Sequence, residues 1–333
     1  MLNKKFTLAG RPIGRPISDD DFDYKEEELR DLNDRELLLE NMVIEFQPAQ
    51  KGWMEQISNY VAPLEIGDVM RCSGIARVLE TKSEKFKKGD IVIGETCWQT
   101  HPILSQDKVE KVEDESMATK YLGALGGTGL TAYFGVTKIS KPKPGDTVLI
   151  TGAAGGVGSI AGQIFKIAGC KVIGIAGGKE KCEILIDEFG FDGAIDYRSD
   201  DLNDSIKKLC PEGVNVLYDN VGGRILNDCL NHLAMNARVA ICGIISRHKT
   251  DNSNFGPENY SNLIFKRATM QGFIVIDYMA EAETARKQIK SWILEGKINC
   301  KEDMQEGFEN APSTLRRLFE SKNKGKQLLK IAD

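Results

Sequence analysis

The pattern of apolar and polar positions changes partway along the chain. Up to residue 120 no long stretch keeps a helical period. Short apolar runs stand between glycines, prolines and charges: Met42-Val-Ile-Glu-Phe46, Gly74-Ile-Ala-Arg-Val-Leu79 and Asp90-Ile-Val-Ile-Gly94. Runs of this length, rich in β-branched residues, predict strands of an all-β or α+β unit. Lys85-Phe-Lys-Lys-Gly-Asp90 predicts a turn into one of them. Tyr121 to Ile139 predicts a helix pair, or one helix with a Gly-rich entry, and Lys141-Pro-Lys-Pro-Gly-Asp146 stops it. Strand and helix signals then alternate. Strands are expected at Thr147–Thr151, Lys171–Ile175, Gly193–Asp196, Val214–Tyr218 and Ala237–Cys242, with helices between them at Val157–Ala168, Lys179–Phe189, Leu202–Leu209 and Gly223–Leu233. Nearly continuous apolar strands separated by helices predict a parallel sheet covered on both faces. A polar, Asn-rich loop at Arg247–Gly256 leads to another helix and a last strand, Thr269–Val275. Ala285, Ile289, Trp292 and Ile293 have helical spacing, and the C-terminal segment carries a short helix at Pro312–Phe319 and a strand at Gln327–Ile331.

Length and composition narrow the class. A chain of 333 residues is enough for about two domains. With 41% hydrophobic and 28% charged residues it has ordinary globular composition, which argues against a disordered or collagen-like chain. Its 44 basic and 49 acidic residues give a net charge of −5 without any basic block, so no nucleic-acid partner is expected. No apolar run approaches the ~18 residues of a membrane span, and Met1-Leu-Asn-Lys-Lys5 opens no signal core, so a cytoplasmic address is expected. The eight cysteines are scattered and form no C-x-x-C pair, which reads as reduced thiols rather than a disulfide scaffold or zinc ribbon.

Glycine is the informative residue. Thr147-Val-Leu-Ile-Thr-Gly152-Ala-Ala-Gly155-Gly156-Val157-Gly158 runs from a strand through a Gly-rich turn into a helix. Small residues there let the backbone approach a pyrophosphate, and the free N–H groups of the helix start point at the anion. A lone glycine triplet is a weak signal; its setting inside a series of βα units favours dinucleotide binding over a turn that only packs helix on strand. The second strand ends in Ala176-Gly-Gly-Lys179-Glu-Lys181, without the acid that takes an NAD ribose and with two lysines that suit a 2′-phosphate, so NADP is expected. Asp219-Asn220-Val-Gly-Gly223 follows a strand at its ligand-facing end; Asn220 reads equally as a contact to ribose or carboxamide and as part of a capping turn.

Together the Gly152–Gly158 loop, Thr128-Gly-Leu-Thr-Ala-Tyr-Phe-Gly135, the Asp219–Gly223 turn and Gly307-Phe-Glu-Asn-Ala-Pro312 resemble the zinc-independent medium-chain dehydrogenase/reductase family. The nearest branch is that of prostaglandin reductases, plant double-bond reductases and bacterial curcumin reductases. The likeness runs from Arg11-Pro-Ile-Gly-Arg-Pro16 to Gly325-Lys-Gln-Leu-Leu329. It implies an α/β fold in which a doubly wound Rossmann sheet is inserted into a GroES-like, β-rich catalytic domain. The substrate domain would be residues 1–125 and 297–333, and the NADP-binding domain 126–296. It also implies NADPH-dependent reduction of a carbon–carbon double bond conjugated to a carbonyl. The implied cofactor contacts are Gly155, Gly156, Val157 and Gly158, Lys181 and Tyr197 at the 2′-phosphate, Asn220, the strand end Cys242, Gly243 and Ser246, then Phe273, Val275 and Asn323. Two segments depart from the branch: Gln47-Pro-Ala-Gln-Lys51 replaces D-P-Y-M-R, and His248 stands where relatives often carry Tyr.

The three histidines, His101, His232 and His248, have no clustered thiolates beside them, so no metal site is expected. An enone reduction without a metal needs a hydrogen-bond donor for the enolate oxygen. Tyr60, in Asn59-Tyr-Val-Ala-Pro63, is the first candidate and reads equally as a loop aromatic; His248 is the second and reads equally as a solvated loop histidine. Trp98 and His101 are expected to support the first domain's core. Two other readings remain open: a quinone reductase of the same superfamily, and an NADPH-binding protein with little catalysis. The last strand of the Rossmann sheet would leave an apolar edge, so a homodimer is expected.

Overall fold

The computed structural model describes residues 1–56, 61–248 and 256–332. They divide into two compact units, residues 1–122 with 302–333, and residues 123–301.

The first unit opens with β1 (Leu2–Leu8) and β2 (Phe22–Glu28), antiparallel and in register from Leu2 opposite Glu28 to Leu8 opposite Phe22. The apolar pattern does not announce this hairpin, because its outer face is charged: Lys5 meets Glu27 at 2.6 Å. Its inner face carries Phe6, Leu8 and Phe22 into the core. The loop between the strands is held by buried Asp21, which binds Arg15 and accepts from the Ser18 N–H at 2.8 Å. Then follow β3 (Glu36–Glu45), α1 (Ala49–Met54), β4 (Gly74–Thr81), β5 (Ile91–Gly94), β6 (Ile103–Ser105) and β7 (Val109–Lys111). Trp98 is fully buried at the centre of this unit, stacked on Phe22 at 5.4 Å and tilted against Phe46 at 5.1 Å.

The second unit contains α2 (Gly127–Phe134), β8 (Thr147–Thr151), α3 (Gly156–Ile167), β9 (Lys171–Ala176), α4 (Lys179–Asp187), β10 (Gly193–Asp196), α5 (Leu202–Leu209), β11 (Val214–Asp219), α6 (Gly223–Leu230), β12 (Leu233–Ile241), α7 (Asn262–Lys266), β13 (Thr269–Gly272) and α8 (Ala282–Leu294). Its six strands are all parallel and ordered β10-β9-β8-β11-β12-β13. This is the doubly wound order of a Rossmann sheet, with the direction of winding reversing between β8 and β11. The strands are apolar throughout because both faces are covered; Val148, Leu149, Ile150, Val216 and Leu217 are all fully buried.

Several boundaries differ from the sequence pattern: β3 starts at Glu36 rather than Met42, β12 at Leu233 rather than Ala237, and α4 ends at Asp187 rather than Phe189, while two further shifts have a clear local cause. The helix expected to run to Leu233 stops at Leu230, because the His232 N–H turns back to the Cys229 carbonyl and the His232 carbonyl accepts from Val214 at 2.8 Å. The last strand stops at Gly272 rather than Val275: Phe273 turns its ring to Tyr218, and Val275 packs against the cluster of Leu130, Phe134, Ala282 and Ala285. The chain returns to the first unit through β14 (Glu302–Glu306), α9 (Ala311–Phe319) and β15 (Lys326–Lys330). β15 lies between β14 and β3, giving the order β14-β15-β3-β4-β5-β7 with β6 paired to β3.

Candidate functional site

At the tip of β8 the chain makes a tight turn. The Gly155 N–H donates to the Gly152 carbonyl at 3.1 Å, and the Ala153 N–H crosses to Ile175 on β9 at 3.0 Å. Gly155 caps α3 in an extended conformation, and no side chain accepts from the helix's first amides. A helix start left this way presents N–H groups and the positive end of its dipole to an anion. Gly158 is required for packing: a Cβ there would lie 2.5 Å from the Gly152 carbonyl oxygen.

The tip of β11 is tied to that of β8. Thr151 Oγ1 donates to Asp219 Oδ1 at 2.6 Å and accepts from the Asn220 N–H at 2.9 Å. Asp219 also accepts from Gly222 N–H at 2.9 Å and Val221 N–H at 3.3 Å. Burial pushes its carboxyl up, and these bonds offset only part of the rise. Asn220 Nδ2 donates to the Thr151 carbonyl at 2.7 Å. That bond fixes the amide orientation, so Asn220 offers a ligand its Oδ1, an acceptor. The Asp219 carbonyl accepts from both Cys242 and Gly243 at the tip of β12, and the Ser246 N–H and Oγ–H both donate to the Val221 carbonyl, at 3.0 and 2.5 Å. Gly152–Gly158, Asn220, Cys242, Gly243 and Ser246 therefore stand together at the carboxyl ends of β8, β11 and β12, where doubly wound sheets take ligands. Thr151 and Asp219, which organise the cluster, carry only a positional signal in the sequence: a polar residue ends each of two neighbouring apolar strands. Burial pushes the Cys242 thiol up to about 12, so it stays protonated and is a poor nucleophile.

At the tip of β9, the Tyr197 ring covers Gly177, where a Cβ would lie 2.8 Å from it. Gly178 has a φ of 100°, in the region glycine tolerates, and its N–H donates to Asp196 Oδ1 at 2.7 Å. Burial raises the Asp196 carboxyl, but the Gly178 and Arg198 N–H bonds outweigh it and hold the group below its ordinary range. Lys181 lies in the first turn of α4, half-buried; Lys179 is exposed and faces Glu183 at 3.6 Å.

Phe273 and Val275 are half-buried in the same unit. Asn323 belongs to the first unit, where its amide donates to the Gly325 carbonyl at 2.9 Å. Tyr60 lies outside the described residues. The backbone of His248 ends the short turn Ile245–His248, and its side chain lies outside what is described. The departing Gln47–Lys51 segment enters α1, where the Gln47 N–H donates to Gln50 and Lys51 pairs with Glu55 at 3.0 Å, both buried. Among the described residues no group of three His, Cys, Asp or Glu side chains is placed to hold a metal ion.

Residues 4–112 match a family model described as the N-terminal domain of oxidoreductase, and residues 156–291 one described as zinc-binding dehydrogenase. The chain is 38% identical to prostaglandin reductase 1 of Bos taurus, covering 98% of each chain. It is 34% identical to the NADPH-dependent curcumin reductase of Escherichia coli, covering 99% of this chain and 97% of the other. The crystal structure of CurA from Vibrio vulnificus in complex with NADPH superposes with a TM-score of 0.93 at 34% identity, covering 99% of both chains. The matched oxidoreductase domains, the Rossmann strand order and these full-length relatives lead to one conclusion: the chain belongs to the zinc-independent medium-chain dehydrogenase/reductase family, in its prostaglandin, curcumin and alkenal reductase branch.

Proposed function

We propose that this protein is an NADP-dependent oxidoreductase that reduces the carbon–carbon double bond of α,β-unsaturated ketones and aldehydes. One observation carries the reading: an uncapped helix start behind the Gly152–Gly158 turn, in a chain whose full-length relatives bear the names of NADPH-dependent reductases. The residues fit the cofactor. The crowded Gly158, the extended Gly155 cap and the amides of Gly156 and Val157 at the helix start suit a pyrophosphate. Lys181 and Tyr197 flank the β9 tip, where the 2′-phosphate of the adenosine ribose belongs. Asn220 Oδ1 accepts from a ribose hydroxyl or the carboxamide, and Cys242, Gly243 and Ser246 line the nicotinamide end. Phe273 and Val275 are read as further contacts in the same unit, and Asn323 as the contact that the family resemblance implies.

Bound NADPH supplies the hydride, which goes to the β-carbon of the substrate. The chain's own task is to orient the alkene, exclude water and donate a hydrogen bond to the carbonyl oxygen as it gains enolate charge. Tyr60 is the first candidate for this donor and His248 the alternative. A proton from solvent completes the α-carbon, giving a saturated carbonyl.

The same reading assigns residues 1–125 and 297–333 to substrate and residues 126–296 to NADP. It places the protein in the cytoplasm, which suits eight cysteines that form no disulfide. No described helix is long and apolar enough to cross a membrane. The protein is read as a homodimer joined at β13, the last strand of its sheet, beside which Ile264 and Phe265 are 73% and 65% exposed. The test is NADPH oxidation followed optically with a medium-chain 2-enal and with an enone, each product identified by mass. A saturated carbonyl formed with NADPH, and far more slowly with NADH, is expected; NADPH binding without turnover on either substrate would overturn the reading.

A further inference from the structure

Arg198 follows Tyr197 directly, and among the described residues its guanidinium makes no hydrogen bond or ion pair. It lies over the Tyr197 ring, 5.9 Å from the centroid. Stacking on an aromatic face holds a guanidinium in place at little cost in solvation and leaves its edge free to donate. Nη1 of Arg198 is 3.9 Å from where a Cβ of Gly178 would be, the one atom within 4 Å of that position among the described residues other than Gly178 and its chain neighbours. The guanidinium therefore borders bare backbone at the β9 tip. Its own backbone is fixed there as well, since Asp196 Oδ1 accepts from the N–H groups of both Gly178 and Arg198, at 2.7 and 3.0 Å. One carboxylate thus anchors both the strand tip and the base of the arginine.

Among the described residues no acid forms an ion pair with the guanidinium, although its charge helps hold the Asp196 carboxyl low. Asp196 is committed to backbone, Asp200 accepts from the Asp196 N–H at 2.9 Å, and Glu183 faces Lys179. Lys179, the other cation at this helix start, has a side chain 89% exposed.

We infer that Arg198, stacked on Tyr197, is the specificity-determining cation for the 2′-phosphate of NADP, acting beside Lys181 across Gly178. The inference rests on the cofactor reading above and adds to it the residue that reads the phosphate. A planar fork of N–H donors presented edge-on matches a phosphate better than a point charge does.

The test is calorimetric binding of NADP⁺ and of NAD⁺, without substrate, to the full chain and to Arg198→Gln, Arg198→Lys and Lys179→Gln. Arg198→Gln is expected to weaken NADP⁺ about tenfold, the value of one charge-assisted hydrogen bond, and to leave NAD⁺ unchanged. Arg198→Lys should recover only part of the loss, and Lys179→Gln should cost clearly less than Arg198→Gln. If the parent prefers NADP⁺ but Arg198→Gln binds it equally well, or if Lys179→Gln costs as much, the role of Arg198 is refuted while the cofactor reading stands. If the parent binds NAD⁺ as tightly as NADP⁺, both fall.

Discussion

A single methyl group would not fit in the Gly152–Gly158 turn. At Gly158 a Cβ would meet the Gly152 carbonyl oxygen and Ala153 Cα at 2.5 and 2.8 Å, and both are backbone. Gly158→Ala must therefore shift the loop proposed to face the pyrophosphate. We expect it to weaken NADP⁺ binding by at least about tenfold while the chain stays folded, checked by titration calorimetry alongside circular dichroism. Asp21 illustrates a structural residue with a pH signature. Burial pushes its carboxyl up, but the Arg15 and Ser18 bonds outweigh that and hold it below the ordinary carboxylate range. A depressed carboxyl stabilises the fold above its unfolded pKa, and the contribution is lost as pH falls through the folded value. Denaturant unfolding from pH 7 down to pH 3 should accordingly show a smaller loss of stability in Asp21→Asn than in the parent, on a lower starting value. The turn at Gly152–Gly158 and the helix behind it were legible because glycine spacing at a strand–helix junction has a direct physical meaning. Thr151, Asp219 and Arg198 were not, since each acts through partners that the fold alone brings near.

Among the elements, legibility followed burial. The strands of the parallel sheet are covered on both faces, so their apolar runs stand out, and α5 spans the residues that its apolar period and turn signals predict. The β1–β2 hairpin did not stand out, because Lys4, Lys5 and a run of acids disguise an inner face of only a few apolar residues. That face still belongs to the core. Phe6 meets Tyr24 at 5.4 Å, Phe308 at 5.2 Å and Trp98 at 6.3 Å. Phe6→Ala should lower unfolding stability by about 3 kcal/mol, as loss of a buried aromatic does, with the near-ultraviolet signal of Trp98 altered. The last Rossmann strand was overextended for the opposite reason. Phe273, Ile274 and Val275 are apolar, but they pack as a turn rather than pair as a strand.

For the whole molecule, the strand order β10-β9-β8-β11-β12-β13 puts the ligand-facing crevice between β8 and β11 and leaves β13 at the end of the sheet. Both consequences are testable. If β13 joins two copies, Phe265→Glu should shift the sedimenting species from dimer toward monomer; a parent that sediments as a monomer would remove the assignment. The central claim is that hydride reaches the β-carbon of an unsaturated carbonyl. The most direct measurement uses NADPH carrying deuterium at both C4 positions, an enone substrate, and NMR of the product. The account predicts one deuterium on the β-carbon of a saturated ketone and none on the carbonyl carbon. Deuterium on the carbonyl carbon of an allylic alcohol, or a product without label, would contradict it.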